Sequence, residues 1–428
     1  MRFRSVVRWV VRVVLILGVV VLGAGLAARL WGQHRLRQAK ESAREAFAGL
    51  SLDNCRAAIY ASGDDAAPLL RAGAAAWSIS EKDISFLGHL SARPSSSWSQ
   101  EEEGRARSLL AGQTTALELF HRAVEGPFAV SPVVTSTDTP GVDPILLTLM
   151  RSARLLAVHA QLAASTGDTP VALASLTALA TLATSLQNSD GTLPLLVGSA
   201  AEKLLHRALQ RFIEDPATDI TTYQHLAAII PDSDIKVRWR CALLRDRAVS
   251  EARVAREVEA SGGGRTSSIL QRLSPFAPLM EAQLVALDAR LARAIDEPYG
   301  HKPDWSTQPS RWRDGVVPAI VAPNLIGAAA RSQHLLASRQ LVRTAIALRQ
   351  LGLARGSYPP ALDAVPGADL PDPFTGERLH YALDDHGGAI LSSPGTEQLL
   401  GEIVATDRVG LPSPTRFHLP PLAPPSAP

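Results

Sequence analysis

The sequence predicts a mainly α-helical protein: an N-terminal transmembrane helix, a body of antiparallel helix pairs, and a small α+β module with a β-hairpin towards the C-terminal end. Three observations predict it. An uncharged apolar run over residues 13–28 stands near the start of the chain. Helix start and stop signals recur through the middle. Period-two alternation is confined to a short stretch around residue 380.

Composition sets the limits. A chain of 428 residues can bury a sizeable core, and 46% hydrophobic with 20% charged residues describes an ordinary globular protein. Aromatics at 5% favour close-packed helices over a β-sandwich. The net charge of +2 hides an asymmetry: residues 1–44 hold nine basic side chains and one acid, leaving 34 basic against 40 acidic residues beyond them. A mildly acidic body is a poor match for nucleic acid, and no nucleic-acid partner is expected. Cys55 and Cys241 are the two cysteines. They read as buried thiols, with a Cys55–Cys241 bridge as the alternative in an oxidising compartment.

A basic tail over residues 1–8 leads into the membrane segment, residues 9–31, bracketed by Trp9 and Trp31. From one tryptophan to the other the helix spans about 35 Å at ~1.5 Å per residue, enough to cross a bilayer. Arg12 and Arg29 lie near the ends, where long side chains reach the headgroups, and the tryptophans suit the interfacial belts. Basic residues flank both ends equally, so charge bias leaves the orientation open. Gly25-Leu26-Ala27 is an acceptable cleavage site, and cleavage would release a secreted soluble protein. The anchor is preferred because the apolar run is long for a signal peptide and continues into Leu30-Trp31.

The body, residues 32–295, reads as helices. Early ones are expected over 42–50, 66–77 and 101–125. Asp143-Pro144 supplies an N-cap and a first-turn proline for a helix that stops at Gly167, and Thr169-Pro170 opens the next at once. So short a connection makes an αα-hairpin. Leu193-Pro194 opens a third helix, through Leu204, Leu205, Ala208 and Phe212. Asp232 or Ser233 caps a long charged helix ending at Gly262-Gly263-Gly264, and another follows from about 267 to 295. The mixed charges of that first helix, with Arg238, Arg245 and Asp246 among them, read as a solvated face. Residues 296–324, with Pro303, Pro318, Pro323, Trp305 and Trp312, read as a connector, and the prolines argue against a second span over 316–330. Residues 411–428 are proline-rich and read as a disordered tail.

No phosphate-binding, metalloprotease or nucleophile-elbow motif is present. Ser233 and Lys236 have serine–lysine spacing, but the serine reads as an N-cap. His380 and His386 with Asp384 and Asp385 read as a polar hairpin, and His159 and His206 as packed helix residues. No catalytic residue, cofactor, metal site or small-molecule ligand is assigned.

The module over 325–410 differs. Leu341, Val342, Ala345, Leu348 and Gly352 make one helix face, and Gly356 suits a left-handed stop. Ser357-Tyr358-Pro359-Pro360 breaks the chain, Ala361–Val365 can form a short turn of helix with Leu362 facing inward, and Asp372-Pro373-Phe374-Thr375-Gly376 has the chemistry of a type I turn. Leu379, Tyr381 and Leu383 alternate as a strand that turns back at Gly387-Gly388.

The order Gly356, Tyr358, Pro359, then Asp372, Pro373, Phe374 and Gly376, then Tyr381 in a hairpin, resembles the C-terminal part of type II secretion pseudopilins. It is closer still to uncharacterised bacterial single-pass membrane proteins that end in such a module. The match covers about residues 330–397. Pseudopilins carry their membrane helix directly before the module, with a glutamate just inside it; here the anchor is far upstream and 13–28 contains no acid. Residues 392–397 hold one carboxylate, Glu397, so calcium binding does not carry over. The resemblance implies a protein of the bacterial inner membrane with a periplasmic body. Its partners would be the lipid bilayer through residues 9–31 and other envelope proteins, and its function a non-enzymatic scaffold in a secretion or pilus-like system. A membrane-tethered periplasmic hydrolase without a recognisable motif is the alternative.

Overall fold

A computed structural model describes residues 2–57, 66–125, 144–189, 191–260, 277–296, 316–393 and 416–422; within these, the side chains of 2–18, 21–22, 52, 56–57, 144, 249–260, 277, 280, 294 and 316–330 lie outside the description. The chain is mainly helical. In order come α1 (Arg2–Ala46), α2 (Leu52–Ala57), α3 (Ala67–Ala76), α4 (Glu81–Ser91), α5 (Gln100–Ala111), α6 (Thr114–Arg122), α7 (Pro144–Ser165), α8 (Thr169–Asn188), α9 (Thr192–Ile213), α10 (Ile220–Ile229), α11 (Ile235–Ala260), α12 (Ala277–Ala294) and α13 (Val316–Arg355). Strands β1 (His380–Leu383), β2 (Ala389–Ser392) and β3 (Arg416–Leu419) form one antiparallel sheet with β2 in the centre. The chain divides into two compact units, one made of residues 1–50, 247–294 and 303–327, the other of 51–246, 295–302 and 328–428.

The first unit is built on α1 and α12. Gly32, Ala39 and Ala43 are buried along α1, with Phe47 just beyond its end, and Ala282, Val285, Ala289 and Ala292 along α12, each set recurring every three to seven residues. Small residues let the two backbones approach: a Cβ on Gly32 would stand 3.0 Å from the Leu279 amide. Lys40 pairs with Glu281 at 3.0 Å, and Arg293 donates to Ser42 Oγ at 2.6 Å, so the helices run parallel. Farther up α1, among the described residues, apolar side chains are uncovered: Val19 (69%), Val20 (61%), Leu26 (60%), Leu30 (58%) and Trp31 (51%).

The second unit has its core between α7, α8 and α9. The expected αα-hairpin is there. Gly167 takes φ +79°, the Asp168 amide returns to Ala163 O at 2.9 Å, and the Asp168 carboxylate caps α8 through the Val171 amide. α8 and α9 touch through Gly198, whose Cβ position lies 2.7 Å from Ala183 O. Residues 145–165 and 169–188 are long and apolar enough to cross a membrane, but more than half of each is buried within the protein, as in core helices.

Several expectations change. Residues 101–125 form two helices, α5 and α6, because Gly112 and Gln113 turn the chain. α4 and α10 were not expected; Ser80 caps the first and Asp219 the second. Residues 316–324 are helical, the start of α13, and the rest of the expected connector beyond Asp296 lies outside the described residues. Pro318 falls in the first turn, where no helical bond is lost. Residues 416–419, expected in a disordered tail, form β3: Phe417 and Leu419 alternate inward, and the strand covers the edge that β2 would otherwise expose. The cysteines are paired, Cys55 to Cys241, with Cα atoms 5.6 Å apart. Spacing cannot show this, because 186 residues separate them.

Candidate functional site

The C-terminal half of α13 is buried on nearly every side, although its sequence is rich in polar residues. Ser332, Gln333, His334, Ser338, Arg339, Gln340, Thr344 and Arg349 are all buried. A helix enclosed this way must find partners for its polar groups. Gln333 and Gln340 donate to Ile295 O and Leu370 O, and two charged hubs take up Ser338, Arg339 and Arg349.

The first hub is Glu202 on α9, fully buried. Arg339 holds it with two parallel bonds, Nε to Oε1 at 2.7 Å and Nη2 to Oε2 at 2.8 Å. Gln187 Nε2 donates to Oε2 at 2.6 Å. His206 places Nε2 3.4 Å from Oε1 and Nδ1 2.8 Å from Ser338 Oγ. Burial alone would push the Glu202 carboxyl up, but the Arg339 charge and the surrounding bonds outweigh it and hold it well below the usual carboxylate range. Burial lowers His206, and lowers His334 to about 3, so both imidazoles are neutral near pH 7.

The second hub is Arg349, also fully buried. Nε donates to the Tyr223 hydroxyl at 2.8 Å, Nη1 to the Tyr358 hydroxyl at 2.8 Å and to Pro420 O at 3.2 Å, and Nη2 to Asp215 O at 3.2 Å. The Tyr223 and Tyr358 hydroxyls pass their own protons to Phe212 O at 2.8 Å and Pro420 O at 2.9 Å. Burial pushes the Tyr223 phenol up to about 12. One guanidinium thus ties together α10, the loop after α9, the segment after α13 and the chain after β3.

The motif residues gather around this helix. Gly356 takes φ +76° and ends α13. Tyr358 is a ligand of the Arg349 hub, and Pro359 O accepts the Tyr381 hydroxyl at 2.7 Å. Asp372 is fully buried; its Oδ1 accepts the Phe374 and Thr375 amides at 2.9 and 3.1 Å, and its Oδ2 accepts the Ser393 hydroxyl. Pro373 is half-buried in that turn, and Gly376 closes it at φ +74°. Tyr358, Leu362 and Tyr381 join the cluster that contains Leu341, Ala345 and Leu348. Phe374 does not; it is buried farther back, edge-on to His334 at 6.1 Å.

Elsewhere, His121 Nε2 and His159 Nδ1 both meet Ser175 Oγ, at 3.0 and 2.7 Å. Burial lowers both histidines, His159 to about 4. Ser175 is fully buried and gives its own proton to Val171 O at 3.0 Å, so it is a structural hydroxyl. His380 and His386 are exposed, and Asp384 caps the hairpin turn through the His386 and Gly388 amides. Among the described residues no group of three or more possible metal ligands converges. Asp234, not Asp232 or Ser233, caps α11. That helix is not simply a solvated face: Arg245 is buried and donates to Cys55 O at 3.1 Å, and Asp246 caps α9 through the Thr192 amide at 2.9 Å.

Glu202, Arg339 and Arg349 were missed by sequence reasoning. The signal was present, since Glu202 falls in the Gly198–Leu205–Leu209 stripe and Arg349 in the Val342–Ile346–Leu353 stripe. No protein-family model matches the chain, and no curated protein or solved structure does.

Proposed function

We propose that this protein is a single-pass envelope protein of the bacterial inner membrane, anchored by residues 9–31, with a periplasmic body that acts as a non-enzymatic scaffold for other envelope proteins. One observation carries the reading. From Gly32 onward α1 is covered by α12, while Val19, Val20, Leu26, Leu30 and Trp31 stand exposed on the same helix. Such a run of uncovered apolar side chains fits lipid rather than water. Trp31, with Arg35 5.6 Å from its ring, suits the headgroup boundary. The Cys55–Cys241 bridge favours an oxidising compartment for the body. The experiment is a fusion of alkaline phosphatase after Ser413, combined with carbonate extraction of membranes. An active fusion that stays in the pellet is expected. A stable but inactive fusion puts the body in the cytoplasm, and release by carbonate removes the anchor.

A further inference from the structure

Residues 316–330, VVPAIVAPNLIGAAA, carry no ionisable side chain. Their backbone is helical from Val316 and runs without a break into the rest of α13. At 100° per residue Val316, Val317, Ile320, Val321 and Leu325 fall within one half of the helix, with Asn324 among them, and the other half holds Ile326, alanines and prolines, so no rotation of this helix would present a polar face to water. Pro323 removes an interior backbone bond, which argues against a full crossing, because the freed carbonyl needs protein or water as its partner. At ~1.5 Å per residue the segment is about 22 Å long, short of the ~30 Å hydrocarbon core yet enough to enter it from one side. The first charge is Arg331, and just beyond it Ser332, Leu335 and Ala337 are enclosed by protein. Up to Gly327 the segment belongs to the same compact unit as α1, the helix whose apolar side chains are uncovered.

We infer that residues 316–330 are a second membrane-inserted helix, entering the acyl region from the side on which the body lies, without crossing. The partner is the bilayer itself. The inference rests on the anchor reading of α1, and its test separates the two. Val20→Cys, Val321→Cys, Leu325→Cys and His386→Cys are made singly in the full chain, whose native cysteines are bridged. Each is labelled with a fluorophore and reconstituted into phosphatidylcholine–phosphatidylglycerol vesicles with or without brominated acyl chains. Labels at 20, 321 and 325 should all lose emission by at least ~2-fold on bromination, and the label at 386 should not change. Quenching at 20 without quenching at 321 and 325 overturns the inference and leaves the anchor standing. No quenching at any of the positions overturns both.

Discussion

Glu202 lies in an apolar stripe of α9, and what keeps it ionised there is the bidentate grip of Arg339. Removing one partner leaves the other charge buried and alone, so Glu202→Gln should cost about 3–5 kcal/mol in denaturant unfolding. Glu202→Leu with Arg339→Met should cost less than the two single changes together. Both kinds of titration then act in one direction. The lowered Glu202 carboxyl contributes stability that is complete above its unfolded value of 4.5 and is lost as pH falls below it. His334, about 3 when folded and 6.5 when unfolded, stays neutral while the unfolded chain takes up a proton, so stability also falls from pH 6.5 towards 3. His334→Gln should flatten the pH dependence of the urea midpoint in that window by up to about 1.4 kcal/mol per pH unit. An unchanged slope would show that His334 is not buried neutral. Arg349 acts without a counter-charge, through hydroxyls and carbonyls. Arg349→Met leaves Asp215 O without its donor and should cost about 2–4 kcal/mol, which Arg349→Lys should not restore, since an ammonium cannot reach along the same fork.

Elements here are started by caps and joined through close approaches. Three glycines separate these effects. At Gly198 an added Cβ would press on the backbone of α8, so Gly198→Ala should destabilise by about 1–3 kcal/mol. At Gly356 nothing lies within 4 Å, but φ is +76°, and Gly356→Ala should cost roughly 1 kcal/mol from backbone strain alone. At Gly104, inside α5 with open space around it, the same change should stabilise by about 0.5–1 kcal/mol. Thermal unfolding of the three variants in parallel checks the order, and equal effects would refute it. Phe374, enclosed beside His334, should cost about 3–5 kcal/mol on truncation to alanine. The turns were largely legible, because Gly167, Thr169-Pro170 and Asp372–Gly376 act over a few residues, although Asp168 and not Thr169 caps α8. α4 and α10 were not, since their apolar faces are short and their caps are ordinary loop residues.

At the scale of the whole molecule, the disulfide closes a loop of 186 residues from α2 to α11. Cys55→Ser with Cys241→Ser should lower stability by up to about 5 kcal/mol if chain entropy dominates. Protein isolated from cells under alkylating conditions should show no free thiol by mass spectrometry until it is denatured and reduced. Thiols that react in the native state would refute the bridge and the oxidising compartment with it. The sequence by itself determined the mainly helical class, the helical hairpin at Gly167, the turn at Asp372 and the hairpin over 380–392, because each rests on residues close in the chain. The tertiary structure alone decided that the polar half of α13 is buried, that β3 completes the sheet, and that Cys55 meets Cys241. Arg339 finds Glu202 across 137 residues and Arg349 finds Tyr223 across 126. An apolar stripe can mark a polar residue as enclosed, but it does not name the distant partner, and only folding brings that partner within hydrogen-bond reach.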